Sequence, residues 1–260
     1  VGNLATTSFV LNASLSTLST FAQNNSTGLL NASAGTAPDL TVYTKAGITG
    51  VDANNMAALN DALASATVDG AATSTQAKVQ AIVNAYNAVL GEANDTTSAA
   101  GDTTPDATPT VDPTAAQYAL IGANIGAAAT DVDNLALLND IVGGLQTADV
   151  DTIAEINELA RIANAIQTLA AGGTPTPALT PSDFAKVGLS GTTTDNLPAV
   201  LAAIAGKDQL DVDVLDQRDT KVAGLDVRVV GLGVEALGDV AAFFEQTIIG
   251  GENSGAVGVH

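Results

Sequence analysis

Carboxylates are the residues of this chain best suited to chemistry, and they come in clusters. Asp131 and Asp133 form one, Asp149, Asp151 and Glu155 a second, and Asp208, Asp211, Asp213, Asp216 and Asp219 a third. Calcium is held by about six to eight oxygens, so closely spaced aspartates are candidate ligands. No cluster has the glycine and final glutamate of an EF-hand loop in their places. The glycine-rich nonapeptide calcium repeat is missing too. The first two clusters read instead as helix caps, whose carboxylates satisfy free N–H groups and oppose the positive end of the helix dipole. Calcium is therefore the one candidate cofactor, with Asp208, Asp211, Asp213 and Asp216 as its candidate ligands.

Other chemistry has little to work with. Gly231-Leu-Gly233-Val-Glu-Ala236 spells a dinucleotide fingerprint after the apolar run Val227–Val230. That site needs an acidic residue about 20 positions on and further βαβ units. The sequence leaves no room for them, and a run of evenly spaced glycines explains the same letters. The chain has 0 cysteines and 1 histidine, His260. Ser-His, Cys-His and histidine–metal machinery are thus missing, and the expectation is a protein that is not an enzyme. Sequons at Asn12, Asn24, Asn25, Asn31 and Asn94 are of the kind an Asn/Ser/Thr-rich chain acquires by chance.

Composition narrows the class further. Hydrophobic residues are 46% of the chain but aromatic ones only 3%, so any core is built from Ala, Val, Leu and Ile. Only 14% is charged, with 28 acids against 8 bases and a net charge of −20. Thr, Ser, Asn, Gln and Gly must therefore cover most of the surface. Such a field repels nucleic acid and anionic lipid and attracts divalent cations. No apolar run reaches the roughly 18 residues of a membrane span, so neither nucleic acid nor membrane insertion is expected. Lack of cysteine excludes disulfides and suits an extracellular protein without oxidisable groups. A chain that begins at Val1 reads as a mature or trimmed product.

The elements that carry these residues repeat. Tyr43-Thr-Lys45-Ala-Gly47-Ile48-Thr-Gly50 returns as Phe184-Ala-Lys186-Val-Gly188-Leu189-Ser-Gly191, and the match runs on to Asn55-Met56 against Asn196-Leu197. Between them Tyr118 and Gly122 stand where Tyr43 and Gly47 do. After a loop longer by about four residues, Asn134 to Asp140 follows Asn55 to Asp61. Thr75 through Val89 pairs with Thr152 through Ile166, with Asn87 opposite Asn164. Self-similarity at roughly 70 residues marks an array of small modules rather than one enzyme domain.

In module one, residues 38–93, Pro38 and Asp39 open a short helix that Gly47 closes in the left-handed region. Asp52 or Asn54 should cap a second helix with Met56, Leu59 and Leu63 on one face. Ser74 or Thr75 should cap a third, with Val79, Ile82, Val83, Tyr86 and Leu90 as its stripe. Three short helices bury a core only by packing together, so the expectation is mainly α: tandem three-helix bundles, each owning its core. Residues 94–113 and 172–178 read as linkers, 114–171 as module two and 179–210 as a partial module three. Tyr43, Tyr118 and Phe184 should be core anchors.

The two ends differ. Residues 1–37 suggest one amphipathic helix from about Thr6 to Gln23, with Leu11, Leu15, Leu18 and Ala22 at helical spacing. In 211–260, Leu215, Val222, Val229, Ala236 and Phe243 recur every seven residues, beside Leu225 and Leu232. Gly224, Gly231 and Gly238 share the period, which suits a helix lying close to a neighbour. The alternative is extended chain over part of Val227–Val234. Both ends read as assembly segments.

The units Tyr43-Thr-Lys-Ala-Gly-Ile-Thr-Gly-Val-Asp-Ala-Asn-Asn-Met-Ala-Ala-Leu-Asn60 and Thr75-Gln-Ala-Lys-Val-Gln-Ala-Ile-Val-Asn-Ala85 resemble helical repeats of very large bacterial surface and biofilm-associated adhesins. The resemblance covers roughly residues 38–206 and implies stalk or spacer units without catalytic residues. In composition the chain is similar to bacterial surface-layer and appendage subunits. The expected function is an extracellular, self-assembling structural subunit of a surface layer or filament. Its principal partner would be further copies of itself, and cell-surface polysaccharide is a second candidate. The alternative is a spacer segment of a large adhesin.

Overall fold

A computed structural model describes residues 2–25, 36–93 and 112–207, with the side chains of the first helix placed from Ala13 onward. The described residues are mainly helical and contain no strand. The chain divides into two compact units, Val1–Arg161 and Ile162–His260. The first holds α1 (Gly2–Asn25), α2 (Leu40–Lys45), α3 (Met56–Leu63), α4 (Gln76–Ala93), α5 (Ala115–Leu120) and α6 (Val132–Gly143). Helix α7 (Ile153–Ala170) begins in the first unit and ends in the second, where α8 (Pro181–Lys186) and α9 (Leu197–Ala205) follow.

Local chemistry sets the helix ends. Asp39 caps α2 by accepting from the Val42 N–H at 3.0 Å. Thr114 caps α5 in a reciprocal capping box with Gln117, and Thr180 does the same for α8 with Asp183. Pro181 occupies the first turn of α8. At the other ends Gly47, Gly122 and Gly188 take φ values of 74°, 85° and 82°. In each copy the residue after the glycine donates back to the aromatic's carbonyl: Ile48 to Tyr43, Ala123 to Tyr118 and Leu189 to Phe184, at 3.0, 3.0 and 2.9 Å. These are Schellman closures, which glycine permits because it has no Cβ to clash in the left-handed region.

Several boundaries differ from the sequence expectation. Neither Asp52 nor Asn54 caps α3. Asn55 precedes it, and Asp52 instead accepts from the Asn54 and Asn55 N–H groups in the turn before. On α4 the buried stripe passes through Val89, not Leu90, and continues to Glu92 and Ala93. Helix α1 begins about one turn before Thr6 and runs two residues past Gln23. Its Leu18 and Ala22 are fully buried, and the helix packs against α2 and α3. Ser19 donates to the Gly70 carbonyl at 2.9 Å, and Gln23 accepts from the Gly70 N–H at 3.2 Å.

The expectation that each module owns its core is corrected by α4. It packs against α3 and equally against α5 and α6. Its buried residues run from Val79 to Ala93 and include Ala85 as well as Val83. At about 100° per residue they cover about half the helix circumference, wide enough to face two sets of neighbours at once. Residues 38–93 and 112–161 thus bury one continuous core.

Candidate functional site

The polar side chains with defined work in this molecule are those that lock its repeats. Tyr43 and Tyr118 are fully buried, one on each first helix. The Tyr43 hydroxyl donates to Asn60 Oδ1 at 2.8 Å, and Asn60 Nδ2 donates to the Pro38 carbonyl at 2.9 Å. In the second copy Tyr118 donates to Asn139 Oδ1 at 2.9 Å, and Asn139 Nδ2 to the Pro113 carbonyl at 3.0 Å. The same three groups thus close the same ring. Tyrosine and asparagine are 17 residues apart in the first copy and 21 in the second. The difference is absorbed by a 3-10 turn, Gly126–Ala129. In the third copy Phe184 replaces the tyrosine and Leu201 stands where the asparagine would be. Both members of the polar pair have become apolar together.

A second device pins the loop after each first helix. The Gln80 side-chain amide of α4 accepts from the Thr49 N–H and donates to the Thr49 carbonyl, both at 2.9 Å. Its counterpart Asn157 on α7 accepts from the Asn124 N–H at 2.6 Å. Asn87 and Asn55 both donate to the Gly50 carbonyl at 2.8 Å, and Asn55 also donates to Asn87. Asn196 repeats the contact to Gly191 at 2.8 Å.

The third device is a seam between copies. The Tyr86 hydroxyl donates to the Val150 carbonyl at 3.1 Å, and Asp61 Oδ2 accepts from the Ile153 N–H at 2.6 Å. Burial is the main reason all three tyrosines resist ionisation. For Tyr86 the negative charges of Asp61, Asp151 and Glu155 add to it, and for Tyr118 those of Glu92 and Asp112. These hydroxyls stay protonated, and each serves here as a donor. They are poor candidates for general bases or nucleophiles and good ones for fixed cross-links.

One carboxylate of each acidic pair, together with Glu155, falls where a capping role would put it. Asp131 caps α6, accepting from Asp133 and Asn134 N–H groups at 3.1 and 3.2 Å. Asp149 accepts from the Gln146 N–H at 3.0 Å, and Glu155 completes a capping box with Thr152 at the start of α7. Among the described residues no group of three or more His, Cys, Asp or Glu side chains is placed to hold a metal ion. Asp208, Asp211, Asp213 and Asp216 lie outside the described residues, as do Gly231–Ala236. Of the sequons, Asn31 and Asn94 also lie outside, and the side chain of Asn12 is not described. Asn24 is exposed, whereas Asn25 is buried and donates to the Phe21 carbonyl at 2.7 Å.

No protein-family model, no curated protein and no solved structure matches this chain. Its own repeats are therefore its best comparison, and they show which groups the architecture reuses. In sequence, Tyr43 aligns with Tyr118 and Asn60 with Asn139, but alignment alone does not join tyrosine to asparagine. The signal for the pairing is that both positions are retained together in two copies and lost together in the third. The seam carries no such signal: Asp61 is retained as Asp140, but Ala163 replaces Tyr86 in the next copy, so the two are not kept together. Among the described residues no helix is long and apolar enough to cross a membrane.

Proposed function

We propose that this protein is an extracellular structural protein, a self-assembling subunit of a bacterial surface layer or filament, and not an enzyme. The reading takes its helices as three-helix-bundle repeats fused in series through α4. One observation carries it: among the described residues, the tyrosines and the repeated side-chain amides are engaged inside the molecule. All 3 tyrosines of the chain are buried in hydrogen bonds to Asn60, Asn139 and the Val150 carbonyl. Repeated amides hold backbone instead of facing a cleft. A device copied along the chain for rigidity is what a lattice-forming or tension-carrying subunit needs. The net charge of −20 fits assembly assisted by calcium, with the Asp208–Asp216 cluster as the candidate ligand set and cell-surface polysaccharide as a further partner.

The test is electron microscopy and light scattering of the purified protein near neutral pH, with and without calcium. Ordered sheets or filaments are expected, and Gly231→Leu should abolish them if the glycine heptad packs against another copy. Leucine is the better helix former by nearly 1 kcal/mol, so local propensity alone predicts no loss. A monomer under all conditions would sink the proposal. The alternative, a spacer in a large adhesin, is favoured by the fusion of repeats through α4, which stiffens a stalk as well as a subunit. The mass of the intact protein in cells separates the two, since a subunit would run near the 25.7 kDa of this chain.

A further inference from the structure

The third repeat carries the same second helix as the others, but its apolar face is less fully covered. In α3 the core positions Ala58, Leu59, Ala62 and Leu63 are all buried, beneath α4. Their counterparts in α6, Leu137, Leu138, Ile141 and Val142, are buried too. In α9 the same four positions are Ala199, Val200, Ala203 and Ile204, and only Ile204 is buried. Leu197 and Leu201 beside them are only partly covered as well. Apart from Pro198, every residue of this helix is Leu, Ala, Val or Ile. A face of that kind is kept out of water in both other copies.

We propose that the chain's own residues 208–260 seat on this face and complete the third repeat in cis. The order of elements argues for it. In the first copy the second helix packs against α4, the next helix along the chain, as well as against α1. Here the next segment starts directly after Lys207, at the end of α9. It brings apolar residues in register, Leu215, Val222, Val229, Ala236 and Phe243 at seven-residue spacing, with Leu225 and Leu232 beside them. Tethering decides between this segment and one from a second copy. A short connection holds its end at an effective concentration of about millimolar, above that of separate chains in dilute solution.

The full-length chain should be made with a photo-reactive benzoylphenylalanine at Val200, as an equal mixture of isotope-labelled and unlabelled protein. After irradiation, the expected product has the mass of one chain and joins position 200 to a peptide within 208–260. Its yield should not change with protein concentration. Leu225→Asp with Leu232→Asp should cut that yield several-fold while the near-ultraviolet signal of the buried tyrosines stays in place. If that signal is lost, Leu225→Ala with Leu232→Ala replaces the pair. Products joining labelled to unlabelled chains would assign the face to a second copy and overturn the proposal. So would links only into residues 1–207, no product, or a yield that the substitutions leave unchanged.

Discussion

Asp61 Oδ2 and the Ile153 backbone N–H meet at 2.6 Å although the two residues are 92 positions apart in the chain. The first N–H groups of a helix have no partner within it, and caps are usually supplied by the residues just before. Thr152 and Glu155 supply the local part for α7, and Asp61 on α3 supplies one further acceptor from another repeat. A helix-terminating bond has become a bond between repeats.

Asp61→Ala should therefore cost about 0.5–2 kcal/mol, the range of a lost N-cap. The informative readout is hydrogen exchange. Amides at the start of α7 should lose protection along with those of α3. Loss confined to α3 would show that the two repeats are not coupled through this pair.

Tyr118→Phe leaves buried Asn139 without its donor and should cost about 1–3 kcal/mol, whereas a lone Asn139→Leu strands the Tyr118 hydroxyl and the Pro113 carbonyl. The double substitution copies the Phe184 and Leu201 pattern of the third repeat. It should be less destabilising than the sum of the singles by about 0.5–3 kcal/mol. Chemical denaturation of the four proteins gives the coupling, and strict additivity would refute the lock.

Alkaline pH should unfold the protein through its tyrosines. Each phenol has its pKa raised in the folded state by burial, above an unfolded value of about 10. The folded protein thus keeps protons that the unfolded chain loses, and the tyrosines' contribution to stability is constant below about pH 9–10 and falls above it. With 3 such groups the slope can reach about 4 kcal/mol per pH unit. Absorbance near 295 nm should report tyrosinate in one cooperative step that coincides with loss of helicity. Gradual ionisation before unfolding would mean the hydroxyls are not sealed.

Two left-handed glycines separate strain from crowding. Gly191 has φ 92° and open space within 4 Å of where a methyl would sit, so Gly191→Ala should cost only the backbone strain, about 1–2 kcal/mol. Gly122 has φ 85°, and a methyl there would fall on Ser65 Oγ and Cβ. Gly122→Ala should cost more than Gly191→Ala in thermal melts. Equal costs would place the strain in the backbone alone.

What can be read from the sequence is local. Gly47, Gly122 and Gly188 announce helix ends because few other residues take that backbone conformation cheaply, and Asp39, Thr75 and Asp131 announce starts because their oxygens reach the next N–H groups. Asp52 shows the limit: it does bind nearby N–H groups, but in a turn that ends before α3 begins. The wide buried face of α4 looks like a single stripe in sequence, since spacing tells which side is apolar and not how many neighbours share it. Long-range partners such as Tyr86 and Val150 have no periodic trace, because their meeting depends on how the helices pack. Among the candidate ligands, the Asp208–Asp216 set rests on the sequence alone.

The seam also sets how the chain would respond to a pull. The 92-residue stretch between Asp61 and Ile153 would reach about 300 Å if drawn straight. While the Asp61 and Tyr86 bonds hold, that length is hidden from an applied load. Single-molecule stretching should then release it in one event when the seam gives way, as a reserve that lets the chain lengthen before it breaks.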